Sequence, residues 1–315
     1  HGLPEALRER FRRAVDTVLR VCALVVWVPW LSACPPLDPE DEAPPADAGA
    51  DGPSGPLDKG LALERCVGTG GLPDLSGAWI FELETVASVR IGGRQAQAEV
   101  VTRIGVAQVC QRTRDVEASL MICDLAQSRL RDPTGNCAAE LPGRALLEAL
   151  PPLRARGRVD RLGPGATLTL GGWRESWGLT DGALIEDGAT QVPERLVADQ
   201  DADGDPGVTL RGDGEVPTET WAVRQTWADF ALEVQDNVLA GPGGGSTTEI
   251  PVGGPASRLL ADRRRQGASG RLVMVRADGT NRTETLDLNG DGVLACAELG
   301  RLLPLLPAPT PAGCR

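Results

Sequence analysis

Histidine is almost missing from this chain: 315 residues contain one, His1. Beyond that position the sequence excludes Ser-His-Asp and Cys-His nucleophiles, histidine-held zinc and imidazole acid–base chemistry. Carboxylate chemistry survives the exclusion. Tyrosine is absent and lysine is confined to Lys59, so arginine carries nearly all the positive charge. No Cys-x-x-Cys pair occurs, which argues against zinc ribbons and thioredoxin-like redox sites. The run Gly243-Gly244-Gly245-Ser246 lacks the lysine of a phosphate-binding loop and reads as a plain loop; no G-x-S-x-G elbow or dinucleotide fingerprint is present. A net charge of -12 opposes binding to nucleic acid, whose phosphates such a surface would repel. Long apolar runs are missing too. The most apolar stretch, Val21 to Leu31, has about 11 residues where roughly 20 are needed to span hydrocarbon, and Pro29 interrupts it.

That stretch follows Arg8, Arg10, Arg12, Arg13 and Arg20 and ends in Leu31-Ser32-Ala33-Cys34. A basic segment, a short apolar segment and small residues before a cysteine have the order of an export signal. The tetrapeptide resembles the lipobox of bacterial lipoproteins. The resemblance implies removal of residues 1–33, diacylation of Cys34, and attachment to a membrane of the bacterial cell envelope, most naturally the outer membrane on its periplasmic or surface face. Two acyl chains make a stable anchor. Residues 34–59 are rich in Pro, Asp, Glu and Ala without apolar periodicity and read as an extended acidic tether.

Residues 60–315 are expected to form a mainly β domain, a disulfide-stapled β-sandwich or barrel-like fold with a few short helices. In Leu75-Ser76-Gly77-Ala78-Trp79-Ile80-Phe81-Glu82-Leu83, Trp79, Phe81 and Leu83 alternate as on a strand with one buried face. Further strands are expected at 98–109, 118–123, 156–160, 166–170, 208–211, 220–230 and 270–275. Helical pattern is confined to 145–150, 257–265 and a stretch after Asp291. Leu75-x-Gly77-x-Trp79 also resembles the opening strand of lipocalin and avidin barrels, in which a glycine and a tryptophan close the floor. Trp173 with Trp177, and Trp221 with Trp227, share strand faces; core packing is the expected use, a sugar-binding surface the alternative.

Outside the signal, the cysteines are Cys66, Cys110, Cys123, Cys137, Cys296 and Cys314, an even set suited to an oxidising compartment. Fifteen connectivities are possible. Proximity favours Cys110 with Cys123, Cys296 with Cys314, and Cys66 with Cys137.

The sharpest chemical motif spans 287–298, Asp-Leu-Asn-Gly-Asp-Gly-Val-Leu-Ala-Cys-Ala-Glu. It resembles an EF-hand calcium loop. Calcium takes oxygens from loop positions 1, 3, 5, 7 and 12, which here are Asp287, Asn289, Asp291, the Val293 carbonyl and Glu298, with Gly292 at the turn. The segment before it, 278–285, does not read as the usual entering helix. A second run, Asp199-Gln200-Asp201-Ala202-Asp203-Gly204-Asp205, repeats the spacing without a residue at position 12 that could ligate, and resembles shorter aspartate-rich calcium loops. Its four carboxylates, Asp199, Asp201, Asp203 and Asp205, repel one another unless a cation neutralises them.

The expectation is a lipid-anchored envelope lipoprotein with a calcium-stabilised β domain in a binding or structural role. Its partners would be the membrane, through the anchor, and a small ligand, a polysaccharide or an envelope protein. The alternative is an extracytoplasmic hydrolase using carboxylates such as Glu175, Glu215 or Glu219.

Overall fold

The computed structural model describes residues 57, 59–63, 66, 73–90, 97–131, 137–163, 165–186, 188–214, 218–257, 264–280, 283 and 285–300. The expected signal segment with Cys34, nearly all of the expected tether, Glu215 and Cys314 lie outside the described residues, as does most of the helix expected at 257–265. Arg264 and Arg265, at the end of that expected helix, belong instead to a strand.

Eight antiparallel strands make a closed wall: β2 (Gly77–Arg90), β3 (Gln97–Arg112), β4 (Asp115–Gln127), β8 (Leu153–Val159), β9 (Thr167–Trp177), β11 (Thr218–Gln235), β12 (Val238–Gly253) and β13 (Arg264–Arg276). Each pairs with the next in this order, and β13 returns to pair with β2, so the sheet is a barrel with no free edge around its circumference. Closure satisfies the ladder groups that an open sheet would expose. Two short strands, β7 (Glu140–Pro142) and β10 (Val208–Gly212), extend the sheet beyond the start of β11. The two-residue strands β5 (Leu130–Arg131) and β6 (Cys137–Ala138) pair with each other. The α-helices among the described residues are short, Arg144–Ala149 and Cys296–Leu299. Among the described residues no helix is long and apolar enough to cross a membrane.

Alternation along each strand sorts side chains between the barrel interior and its outer wall. Trp79, Phe81 and Leu83 face inward, as expected, opposite Arg276, Met274 and Leu272 on β13 and Ala107, Gly105 and Arg103 on β3. One end of the interior is closed by Trp79. Its indole N–H donates to the Leu75 carbonyl at 3.0 Å, and the Arg276 guanidinium lies 5.0 Å from its ring centroid. Arg276 is itself held by the carbonyls of Asp74 and Ser76 and by the Asp278 carboxylate. Gly77 has φ +145°, and a Cβ there would strike Asp278, so this corner requires glycine.

The glycine run expected as a loop lies within β12. Gly243 faces inward opposite Phe230, and a Cβ on it would collide with that ring. The missing side chains make room for a neighbouring aromatic instead of marking a turn.

On the outer wall, β1 (Gly60–Ala62) pairs with β14 (Val293–Ala295) and lies against β3. Two disulfides fasten this layer, Cys66–Cys110 to β3 and Cys123–Cys296 to β4. Cys137 is disulfide-bonded as well. The pairings expected from proximity, Cys110 with Cys123 and Cys66 with Cys137, are therefore wrong, and Cys296 is not joined to Cys314. The reason is register: Cys110 stands opposite Glu117, six residues from Cys123 along the same strand, which is about 20 Å.

Candidate functional site

The barrel interior has two halves. Around Trp79 it is apolar, lined by Phe81, Leu120, Leu168, Leu232 and Leu239. Towards the other end it carries charge. Arg103 Nε donates to Glu175 Oε2 at 2.5 Å, with both side chains 1% exposed. Arg224 pairs with Glu249 at 2.6 Å, and the two face each other across the β11–β12 ladder. Each guanidinium covers an indole, Arg103 at 5.4 Å from Trp173 and Arg224 at 4.4 Å from Trp177. Trp177 Nε1 donates to Glu175 Oε1 at 2.6 Å, and Thr85 Oγ1 accepts from Arg103 at 2.9 Å. Burial pulls the Arg103 guanidinium below its usual range, Glu175 opposes this, and the neighbouring Arg224 adds to it. Among the buried polar atoms of this half without a hydrogen-bond partner among the described residues are Trp173 Nε1 and Gln127 Oε1.

These charges escaped the reading of strands as alternating faces. Arg103 sits between Val101 and Gly105 on the inward face of β3, and Arg224 between Ala222 and Thr226 on that of β11. A charge in phase with an apolar series was the signal that could have found them.

Of the carboxylates expected for hydrolysis, Glu175 is committed to Arg103 and Trp177, and Glu219 pairs with Arg211 at 3.5 Å between β11 and β10. The structure does not bring them to one cavity as a pair. Of the four tryptophans, Trp173 and Trp177 are buried as expected. Trp227 is 41% exposed on the outer wall and is not core, because it stands between the inward positions Thr226 and Ala228.

The 287–298 segment contains β14 and the start of the helix Cys296–Leu299. Asp287 accepts the amides of Gly290, Asp291 and Gly292 at 2.8, 3.1 and 3.0 Å; Asn289 Oδ1 accepts the Asp291 amide, and Asp291 Oδ1 the Val293 amide. Glu298 reaches back across the loop, Oε1 to the Leu288 amide at 3.0 Å and Oε2 to the Ala295 amide at 3.3 Å. Gly290 and Gly292 have φ of +74° and +79°, and Leu294 is fully buried. In place of an entering helix, Asp278 and Thr285 form an isolated antiparallel bridge. A cleft of about 410 Å³, lined in part by Asp74, Gln108, Asp278, Thr285 and Asp287, adjoins this loop on the outer wall.

The second acidic run lies between β9 and β10, in a segment that covers the outer wall through Leu179, Val197, Val223 and Ile250. Asp199 accepts the amides of Asp203 and Gly204 at 3.2 and 3.0 Å, Asp201 Oδ2 that of Thr209 at 3.0 Å, and Asp203 Oδ1 that of Asp205 at 3.0 Å. Burial raises the Asp201 carboxyl above its usual range, and Asp203 and Asp199 push the same way. Asp205 is also raised, by desolvation first and then by Asp203, Glu219 and Asp199. Among the described residues, the one set of three or more acidic, histidine or cysteine side chains gathered closely enough for a shared metal is Asp199, Asp201 and Asp203. Asp287, Asp291 and Glu298 are not gathered to that degree.

No family model, no curated protein and no solved structure matches this chain.

Proposed function

We propose that this chain is a lipid-anchored lipoprotein of a bacterial envelope, attached through Cys34, whose barrel binds a small ligand or an envelope partner, with calcium steadying the 287–298 loop. The observation that carries the binding role is the division of the barrel interior. An eight-stranded barrel is wide enough either to be filled by side chains or to hold one small molecule. Here one end is packed with apolar groups, while the other holds two buried ion pairs, two indoles and buried polar atoms, Trp173 Nε1 among them, without partners among the described residues. Buried polar atoms left in this state are met in most proteins by water or a bound molecule. The resemblance of the Gly77–Trp79 strand to lipocalin and avidin barrels gains support from the pairing of the first wall strand with the last.

The anchor rests on the order of basic residues, apolar residues and Leu31-Ser32-Ala33-Cys34. The hydrolase alternative is weaker, because its candidate acids are committed to arginines on opposite sides of the wall. The test is the Cys34→Ala variant of the full chain. It is expected to appear in the soluble fraction, and the wild-type N-terminal peptide to carry the mass of a diacylglyceryl group. Unchanged membrane retention of the variant, with no lipid mass on the wild type, overturns the anchor.

A further inference from the structure

Asp199, Asp201 and Asp203 each offer a carboxylate oxygen, and all three atoms lie within 4.8 Å of one another. Proximity alone could be a solvated acidic turn, and two of the three side chains are exposed. Asp201 differs. It is 8% exposed, its Oδ2 is occupied by the Thr209 amide, and its Oδ1 is buried without a hydrogen-bond partner among the described residues. A buried carboxylate oxygen without a donor bears the desolvation penalty of a charge and gains nothing in exchange. Two further carboxylates beside it worsen the repulsion. The arginine whose field reaches this loop, Arg211, is paired with Glu219 at 3.5 Å.

We infer that Asp199, Asp201 and Asp203 form a calcium site, in which the ion occupies the position that Asp201 Oδ1 is buried to face. Calcium takes 6 to 8 oxygens in flexible geometry, which suits carboxylates of a short loop, whereas magnesium demands a near-ideal octahedron and keeps several of its waters. Three carboxylate oxygens within 4.8 Å of one another can share one such ion, and the rest of its shell comes from water and carbonyls. Asp205 lies outside the gathered set; its amide donates to Asp203 and so helps to orient a ligand.

The site is joined to the barrel. Gln200, between the first two ligands, accepts the Gly178 amide at 2.7 Å through Oε1, and Ala198 donates to the Gly178 carbonyl at 2.9 Å. Gly178 directly follows Trp177 at the end of β9, the strand that carries Trp173, Glu175 and Trp177 into the charged half of the interior. Calcium bound here holds the end of that strand.

This inference depends on neither the lipid anchor nor the 287–298 loop. The experiment is calorimetric titration of the full chain, freed of metal by chelator, with calcium and separately with magnesium. Asp203→Asn changes an exposed side chain and is expected to fold normally. Asp201→Asn keeps an acceptor for the Thr209 amide. Each is expected to lose one equivalent of calcium, and Glu298→Gln to retain that equivalent. Should Asp201→Asn fail to fold, Asp203→Asn decides. Wild-type binding in both aspartate variants, with calcium heat lost only in Glu298→Gln, overturns this site and leaves the 287–298 reading standing. No calcium heat in wild type at millimolar ion overturns both. Equal affinity for magnesium overturns the assignment to calcium.

Discussion

Arg103 and Glu175 are worth little to stability as a pair but a great deal as individuals. Their attraction is offset by the water both lose, so a matched apolar replacement is often neutral or stabilising, whereas removing one partner strands the other charge. Glu175→Ala is expected to cost about 3–5 kcal/mol in urea denaturation, and Arg103→Met with Glu175→Leu to recover most of it. Equal losses in the single and double variants would show that packing, not charge, holds this layer. A second isolated acid lies on the outer wall. Glu82 is buried between Ile104 and Val273, and its Oε2 has no partner among the described residues. Burial pushes it up to about 7, against the attraction of Arg271 and with the help of Glu84. An acid raised in the folded state binds its proton more tightly there than when unfolded. Its contribution is therefore full below the unfolded value near 4.5 and lost as pH rises through about 7. Glu82→Gln is expected to melt higher than wild type at pH of about 8 and nearly level with it at about 4.5. A difference independent of pH would assign the effect to packing.

Strands were legible where one face was apolar. The alternation of Trp79, Phe81 and Leu83, and the seven other strand segments placed from sequence, correspond to strands of the structure, while β12 was missed through its glycines. A glycine run has no side-chain period to read, and in β12 the deciding partner, Phe230, lies on the strand before it. Position by position, the two kinds of glycine should behave differently. Gly243→Ala drives a methyl into the Phe230 ring and is expected to cost about 1–3 kcal/mol. Gly244 faces outward with nothing within 4 Å of an added Cβ, and Gly244→Ala is expected to be neutral or slightly stabilising. Equal melting temperatures for the two variants would mean that the ring moves aside freely. The acidic runs could be singled out as candidates because calcium ligation is a local code of spacing. Which run gathers its carboxylates was not, since that depends on Thr209 in β10 and on burial of Asp201 that only the assembled wall provides.

At the scale of the molecule, sequence conveyed the β class and the even cysteine set, but not closure or connectivity. Both are decided by strands distant in sequence: β13 meets β2, and Cys123 is joined to Cys296 across 173 residues. The other bond, Cys66–Cys110, has a mechanical consequence. A pull on the chain from its N-terminal side first peels the three pairs of β1 from β14 and then reaches Cys66. From there the load crosses the sulfur bridge to Cys110 near the end of β3. The stretch between the two cysteines, which stand 44 positions apart and enclose all of β2, is left out of the path. β2 forms the seam with β13. Tension from the N-terminal side would therefore pass beside the junction that joins the first wall strand to the last.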